Sequence, residues 1–260
     1  MAAKVLDTFS LKGKTALLTG GAGLYGKQIM AALAEAGADT YIASRNVDNL
    51  KAVSEPYDNV TPLQLDLGDE NSIRNVIAQI VERSGKIDIL VNNAVTRCAC
   101  AGWDLPQEKF DESLHVNATS MFLLTRLAAA DMKKRQAGSI INIGSYMGLL
   151  GPNFTNYIGT DMNANPSPIY FYEKGGMVNF TRFAASVLGR DNIRVNCICP
   201  GGLRDKTHQP AFIEHYSANT MLGRLANDTD LKGIIVFLAS DASLYITGAN
   251  IPVDGGYTAK

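Results

Sequence analysis

A phenol and an ammonium four residues apart on a helix share one face, and Tyr170 and Lys174 stand at that spacing. Any reaction that leaves negative charge on a substrate oxygen, carbonyl reduction among them, needs a proton donor there. A tyrosine can serve when nearby positive charge favours its phenolate, and Lys174 supplies such a charge one turn away. Ser145 could hydrogen-bond the substrate oxygen and hold it in line. Asn117 could hold a water joining Lys174 to solvent. Each residue also has an ordinary reading. Tyr–Lys pairs occur on many helices, a serine after a buried strand usually caps or turns, and a buried asparagine usually bonds to backbone. Tyr172, two residues from Lys174, faces elsewhere.

A second group of residues can hold a dinucleotide. The run Thr19-Gly20-Gly21-Ala22-Gly23-Leu24-Tyr25-Gly26 follows an apolar strand and opens a helix. Glycines there permit a tight turn and close backbone approach to a pyrophosphate, which the helix N-terminus attracts. Gly21, Gly23 and Gly26 spell G-x-G-x-x-G, a weak pattern alone and a strong one between the first strand and the first helix. The second strand ends in the stretch Ala43-Ser44-Arg45-Asn46, and Arg45 lies 19 residues beyond Gly26. An acid at this strand end would hold the ribose 2′-hydroxyl of NAD; an arginine suits the 2′-phosphate of NADP. Arginine predicts NADP(H), with NAD(H) possible, and a hydride as the group transferred. The alternative is an exposed arginine opening a helix.

These residues need a scaffold. Apolar runs at Thr15–Thr19, Thr40–Ala43, Thr61–Leu65, Ile87–Val91, Ser139–Ile143, Ile193–Ile198 and Asn250–Val253 read as seven buried strands. Helical patterns lie between them at Lys27–Ala36, Glu70–Arg83, Phe110–Gln136, Tyr170–Leu188 and Asp228–Ala239. The alternation predicts an α/β Rossmann fold: a doubly wound, seven-stranded parallel sheet with helices on both faces. An eight-fold barrel would need one more strand and leaves the glycine loop unexplained. No linker or repeat divides the chain, so residues 1–260 read as one domain.

Composition narrows the classes. Lys plus Arg is 24 against Asp plus Glu at 25, with no long charged block, which points away from nucleic acid and charged membranes. The N-terminus lacks a signal-like apolar stretch and no run spans a bilayer, so a cytoplasmic protein without membrane contact is expected. The pairs Cys98/Cys100 and Cys197/Cys199 have Cys-x-Cys spacing and no nearby histidine, so no metal is expected.

In this order the motifs resemble the classical short-chain dehydrogenase/reductase family, and the resemblance covers nearly the whole chain. It rests on the glycine loop, Asp66-Leu67, Asn92-Asn93-Ala94, Asn117, Ser145, Tyr170-x-x-x-Lys174, Pro200-Gly201 and Val253-Asp254-Gly255-Gly256. It implies catalytic roles for Asn117, Ser145, Tyr170 and Lys174. It implies a cofactor site of Gly20, Gly23, Tyr25, Gly26, Ser44, Arg45, Asp66, Leu67, Asn93, Ala94, Tyr170, Lys174, Pro200, Gly201 and Leu203. In that site Asp66 would accept from the adenine amine, Asn93 would lie along the adenosine, Lys174 would hold the nicotinamide ribose, and the segment after Pro200 would close over the nicotinamide. Within the family the chain looks most like bacterial gluconate 5-dehydrogenase-like sugar and sugar-acid dehydrogenases.

Departures from the pattern sharpen the expectations. Leu24 stands where the classical loop has glycine, so the loop reads Thr-Gly-x-x-Gly-x-x-Gly as in nucleotide-sugar epimerases. Little chain follows Gly256, however, which argues against that larger type. Val95 replaces the glycine that usually follows Asn-Asn-Ala. Asp205 occupies a position where the family often has threonine, with Thr207 close by. An insertion near 153–168 widens the gap between Ser145 and Tyr170 to 25 residues, and its Asn153, Asn156, Thr160, Asp161, Asn163 and Asn165 suit a polyhydroxylated substrate or simply a solvated loop. Arg97, Arg204, Lys206 or His208 could bind a sugar-acid carboxylate. The expectation is therefore an oxidoreductase acting on a secondary alcohol or ketone of a sugar, sugar acid or polyol. A 3-oxoacyl-thioester reductase and a non-catalytic dinucleotide sensor are the alternatives. A homotetramer, or failing that a dimer, is expected through the long helices.

Overall fold

The computed structural model describes residues 4–97 and 102–260; Cys98 and Cys100 lie outside the described residues. Seven parallel strands form one sheet in the order β3-β2-β1-β4-β5-β6-β7. They are β1 Thr15–Thr19, β2 Asp39–Ser44, β3 Val60–Gln64, β4 Ile89–Asn92, β5 Gly138–Ile143, β6 Ile193–Pro200 and β7 Asn250–Val253. Every residue of β1, β4 and β6 is buried, as continuous apolar runs require when helices cover both faces. Pro62 interrupts β3, an edge strand that pairs only with β2, where a missing N–H is tolerated.

The helices are α1 Leu24–Glu35, α2 Val47–Ser54, α3 Glu70–Ser84, α4 Gln107–Leu114, α5 Ser120–Lys133, α6 Pro168–Leu188, α7 Pro210–Ala218 and α8 Lys232–Ala239. Two apolar cores result, one on each face of the sheet. On one, Ile29 and Leu33 of α1 meet Ile235 and Leu238 of α8 over Leu18 and Val91. On the other, Ile73, Val76 and Ile80 of α3 meet Leu124, Ala128 and Met132 of α5 and Leu188 of α6 over Leu17 and Leu90. Each fully buried leucine or isoleucine contributes about 1.5–3 kcal/mol, so the sheet is a rigid platform for whatever its strand ends carry.

The order of strands reverses between β1 and β4, both paired directly to each other. Ligands of doubly wound sheets bind in the crevice that such a reversal opens beyond the carboxyl ends. The glycine loop, Ser44, Asn93, Ser145 and Pro200 all follow or close those ends.

Three expectations from sequence need correction. The segment Phe110–Gln136 is not one α-helix: α4 and α5 are joined by a π-turn at His115–Thr119, in which the Ser120 N–H bonds the His115 carbonyl five residues back. The hydroxyl of Ser120 donates to that same carbonyl at 2.9 Å, which helps hold the wider turn. The helix expected from Asp228 begins at Lys232, because Asn227 and Asp230 form turns that accept backbone N–H groups. Helices α2 and α7 were not expected; both are short, and Asn46 starts the first by accepting from the Asn49 N–H. Among the described residues, no helix is long and apolar enough to cross a membrane.

Candidate active site

The glycine loop is built for close approach. Gly20 sits at φ +71°, and a Cβ there would lie 3.0 Å from the Ala94 Cα. A Cβ on Gly26 would overlap the Gly20 carbonyl oxygen and reach 2.9 Å from the Gly21 backbone. Gly23 is the N-cap of α1, and the first N–H groups of that helix, from Leu24 to Gly26, have no acceptors within it. Together these features form a cradle with free donors and positive helix polarity, suited to a pyrophosphate. Gly26→Ala is accordingly expected to lower stability by about 1–3 kcal/mol, the usual cost of overpacking. Dinucleotide affinity should fall at least ~10-fold. Thermal melting and a dinucleotide titration would check both, and wild-type binding by the variant would contradict the cradle.

Several expected cofactor residues turn out to brace the loop. Thr19 Oγ1 accepts from the N–H groups of Asn93 and Ala94 at 3.1 and 3.0 Å. The Asn93 amide donates to the carbonyls of Thr19 and Gly20, both at 3.0 Å, so its side chain fixes the turn from beneath. The Tyr25 hydroxyl donates to the Gly201 carbonyl at 2.7 Å, tying the glycine loop to the segment after β6. Burial pushes that phenol well above its ordinary range, so it stays a donor. What Tyr25 offers a dinucleotide is its backbone N–H.

Arg45 and Asp66 remain available. Arg45 is exposed beyond β2, and its guanidinium makes no ion pair or hydrogen bond among the described residues. The Ser44 hydroxyl donates to the Asn46 carbonyl beside it. Asp66 accepts from the Gly68 N–H through Oδ1, which orients the carboxylate outward, while Leu67 packs against the core. Pro200 and Gly201 are buried, the Gly202 N–H donates to the Tyr216 hydroxyl at 2.6 Å, and Leu203 bridges to Ala226. The loop over the crevice is thus anchored from three sides.

Lys174 links the first turns of α6, which carry Tyr170, to the tip of β5, two residues before Ser145. Pro168 stands in the first turn of α6, where its fixed φ starts the helix two residues before Tyr170. Lys174 is buried, and its Nζ donates to the Ile143 carbonyl at 2.7 Å, at the tip of β5. The same Nζ lies 5.7 Å from the centre of the Tyr170 ring. Ser145 follows β5 and accepts from the Met147 N–H at 3.1 Å, which starts the short turn Tyr146–Gly148. A Cβ on Gly148 would come 2.7 Å from the Lys174 carbonyl carbon, so this glycine lets the turn press onto α6. The ordinary reading of Ser145 as a cap is correct and compatible with a second role, since its O–H remains a donor. The Tyr170 hydroxyl makes no hydrogen bond among the described residues.

Asn117 sits in the π-turn with its amide fully engaged. Its Oδ1 accepts from the Thr96 N–H at 2.8 Å, and its Nδ2 reaches the Thr96 carbonyl, Ser113 Oγ and Glu173 Oε2 at 2.8, 3.1 and 3.0 Å. The side chain therefore holds the loop after β4, and the expected water would have to use the backbone.

The remaining expectations separate. His208 lies against the Phe212 ring at 4.7 Å, its Nδ1 accepts from the Asp205 N–H, and burial lowers its pKa. The Thr207 hydroxyl donates to Asp205 at 2.7 Å. Arg97, Arg204 and Lys206 are exposed. Much of the insertion's polarity is structural: Asn153 accepts from Thr155, Asn163 from the Asn165 N–H, and buried Asn156 bridges the Tyr257 hydroxyl and the Asn219 amide. Beneath it lies an aromatic layer of Tyr146, Phe212, Tyr216 and Tyr257, with Tyr146 and Tyr257 4.9 Å apart. Sequence reasoning missed this layer, though Phe212 and Tyr216 at i, i+4 after Pro210 carried a signal. Cys197 and Cys199 are buried with sulfurs 3.8 Å apart, and no group of metal-ligating side chains occurs among the described residues.

Comparison with known proteins places this geometry in context. A family profile described as enoyl-(acyl carrier protein) reductase matches residues 23–258. The chain is 33% identical over 260 residues to the 3-oxoacyl-[acyl-carrier-protein] reductase FabG of Thermotoga maritima, covering 95% of this chain and 98% of that protein. It is 34% identical over 263 residues to the 2-dehydro-3-deoxy-D-gluconate 5-dehydrogenase of Bacillus subtilis, covering 98% of each. Among solved structures it superposes with a TM-score of 0.86 and 29% identity on a gluconate 5-dehydrogenase from Burkholderia cenocepacia in complex with NADP and tartrate, covering 99% of this chain and 100% of that one. A short-chain dehydrogenase from Leptospira borgpetersenii with bound NAD+ gives 0.88 at 29% identity, covering 99% and 97%.

Proposed function

The chain belongs to the short-chain dehydrogenase/reductase family, oxidoreductases acting on alcohols and ketones, and from that premise we propose that it uses NADP(H) to interconvert a secondary alcohol and a ketone of a sugar, sugar acid or polyol. One observation carries the reading: Tyr170 with an unengaged hydroxyl stands one turn from a buried Lys174, whose ammonium is held at the Ile143 carbonyl two residues before Ser145, at the strand ends that also carry the glycine cradle. Gly20, Gly23 and Gly26 would hold the pyrophosphate, Arg45 the 2′-phosphate and Asp66 the adenine amine. When bound, the nicotinamide supplies or accepts the hydride. Ser145 orients the substrate oxygen by donating its O–H, and Tyr170 passes that oxygen its proton on reduction or takes it on oxidation. Lys174, held by the Ile143 carbonyl, places its positive charge where it favours the phenolate. Asn117 fixes the Thr96 loop at the rim.

Substrate class rests on the wall beside Ser145. A shallow depression there is lined by Tyr146, Met147, Asn153, Phe154, Tyr157 and Phe171. Aromatic faces beside an amide suit a compact polyhydroxylated ring or chain. The second reading, 3-oxoacyl-thioester reduction, is favoured by the Thermotoga relative. Sugars, sugar acids and acyl thioesters assayed by nicotinamide absorbance with NADP and NAD in parallel separate the two. Turnover of sugar acids is expected, and turnover of thioesters alone would overturn the reading. No turnover with tight dinucleotide binding would favour a sensor. Phe122 on α5 and Phe183 and Val187 on α6 are exposed apolar residues that fit a homotetramer built on these helices. Light scattering would show a monomer if that assembly is wrong.

A further inference from the structure

Glu173 is a buried carboxylate that the mechanism above leaves unused. It is 7% exposed and lies one residue before Lys174, between the helix of Tyr170 and the π-turn. Its Oε1 accepts from Ser113 Oγ at 2.7 Å and its Oε2 from Asn117 Nδ2 at 3.0 Å. Through Asn117 it connects to both backbone groups of Thr96. No cation is ion-paired with it among the described residues. Of the titratable groups on the elements packed against it, Glu108, Lys109, Asp111 and Glu112 of α4 are exposed, and Lys109 and Glu112 pair with each other. His115 is exposed and turned to the Gly68 carbonyl, and Arg97 beyond Thr96 is exposed. Lys174 is the charged group acting on Glu173, and burial raises the carboxyl above the usual carboxylate range against that attraction and both hydrogen bonds.

We propose that Glu173 is a positioning residue for proton transfer: it clamps Asn117 and the Thr96 loop to the helix of Tyr170, and its negative charge tempers the positive charge that Lys174 presents to Tyr170. A buried acid without a dedicated cation is costly, and this one is kept ionisable by two donors aimed at it. Its negative charge opposes the build-up of negative charge on the Tyr170 oxygen during proton transfer. This inference rests on Tyr170 being the proton donor.

The sign of the effect follows. Glu173→Gln removes the charge and keeps the shape, so in the oxidation direction the acid limb of kcat/KM should move to lower pH, by ~0.5 unit, a roughly three-fold gain in rate on that limb. Ser113→Ala removes two hydrogen bonds, one of them a donor to the Glu173 carboxylate, so its limb should move in the same direction but by less than that of Glu173→Gln. A readout independent of turnover comes from melting. A carboxyl whose folded-state pKa is raised weakens the fold as pH climbs through its titration, so the Tm of Glu173→Gln relative to wild type should rise as pH climbs above the ordinary carboxylate range. Superimposable pH profiles for wild type and Glu173→Gln, or a Tm difference that does not depend on pH, would overturn the proposal. Full activity in Tyr170→Phe would instead remove the reading on which it rests, so the two failures are told apart.

Discussion

Tyr170→Phe is expected to lower kcat by roughly 10²–10⁴-fold, the usual contribution of a positioned general acid, while dinucleotide affinity changes little. The substitution removes one oxygen from a ring that is only partly buried and whose hydroxyl has no partner among the described residues, so no fold interaction is lost with it. Stability should stay within the small range of a neutral change. Steady-state turnover in both directions, with melting and dinucleotide titration in parallel, separates the chemical step from binding. In the proposed role the lost group acts on the reacting oxygen, so kcat and kcat/KM should fall together. A variant that turns over at the wild-type rate would show that the proton comes from elsewhere, and Ser145 would be the first residue to consider.

Arg45→Asp should invert cofactor preference. Charge-assisted hydrogen bonds contribute about 1.5–3 kcal/mol each, so losing a forked contact to a phosphate and facing it with a carboxylate should change the NADP/NAD ratio of kcat/KM by roughly 10²-fold or more. Aspartate at a strand end can also accept from a ribose hydroxyl, so NAD turnover should rise and not merely survive. The exposed guanidinium has no ion pair among the described residues, and the exchange should leave melting nearly unchanged. Parallel titrations with both dinucleotides measure the ratio. An unchanged ratio would mean that Arg45 does not reach the 2′ position.

Much of this arrangement was legible in the chain because its signals are local. β1 and β7 match their expected spans to the residue, since both are apolar runs bounded by turn residues. The seven-stranded parallel sheet followed from alternation alone, and the glycine loop lies where strand gives way to helix. What could not be read was set by contacts distant in sequence. The amide of Asn93 and the hydroxyl of Tyr25 look like ligand contacts from their motifs. Their partners, Thr19 and Gly20 for one and Gly201 for the other, are supplied only when the strands align. The insertion misled for a related reason: asparagines that favour local turns are indistinguishable by composition from asparagines that face a substrate. Glu173 was hidden because an acid on a helix is ordinarily solvated, and only packing reveals its burial.

The widened turn at His115–Thr119 has a mechanical meaning. A regular helix advances about 100° per residue, so one additional residue in a turn rotates everything beyond it by that angle. The stretch upstream is thereby clocked to the active site, through Ser113 and Asn117, while the stretch downstream is clocked independently to the core, through Leu124, Ala128 and Met132. Excising a single residue here would force the two halves into a common phase. Either the core stripe or the Asn117 amide would then swing away from its target.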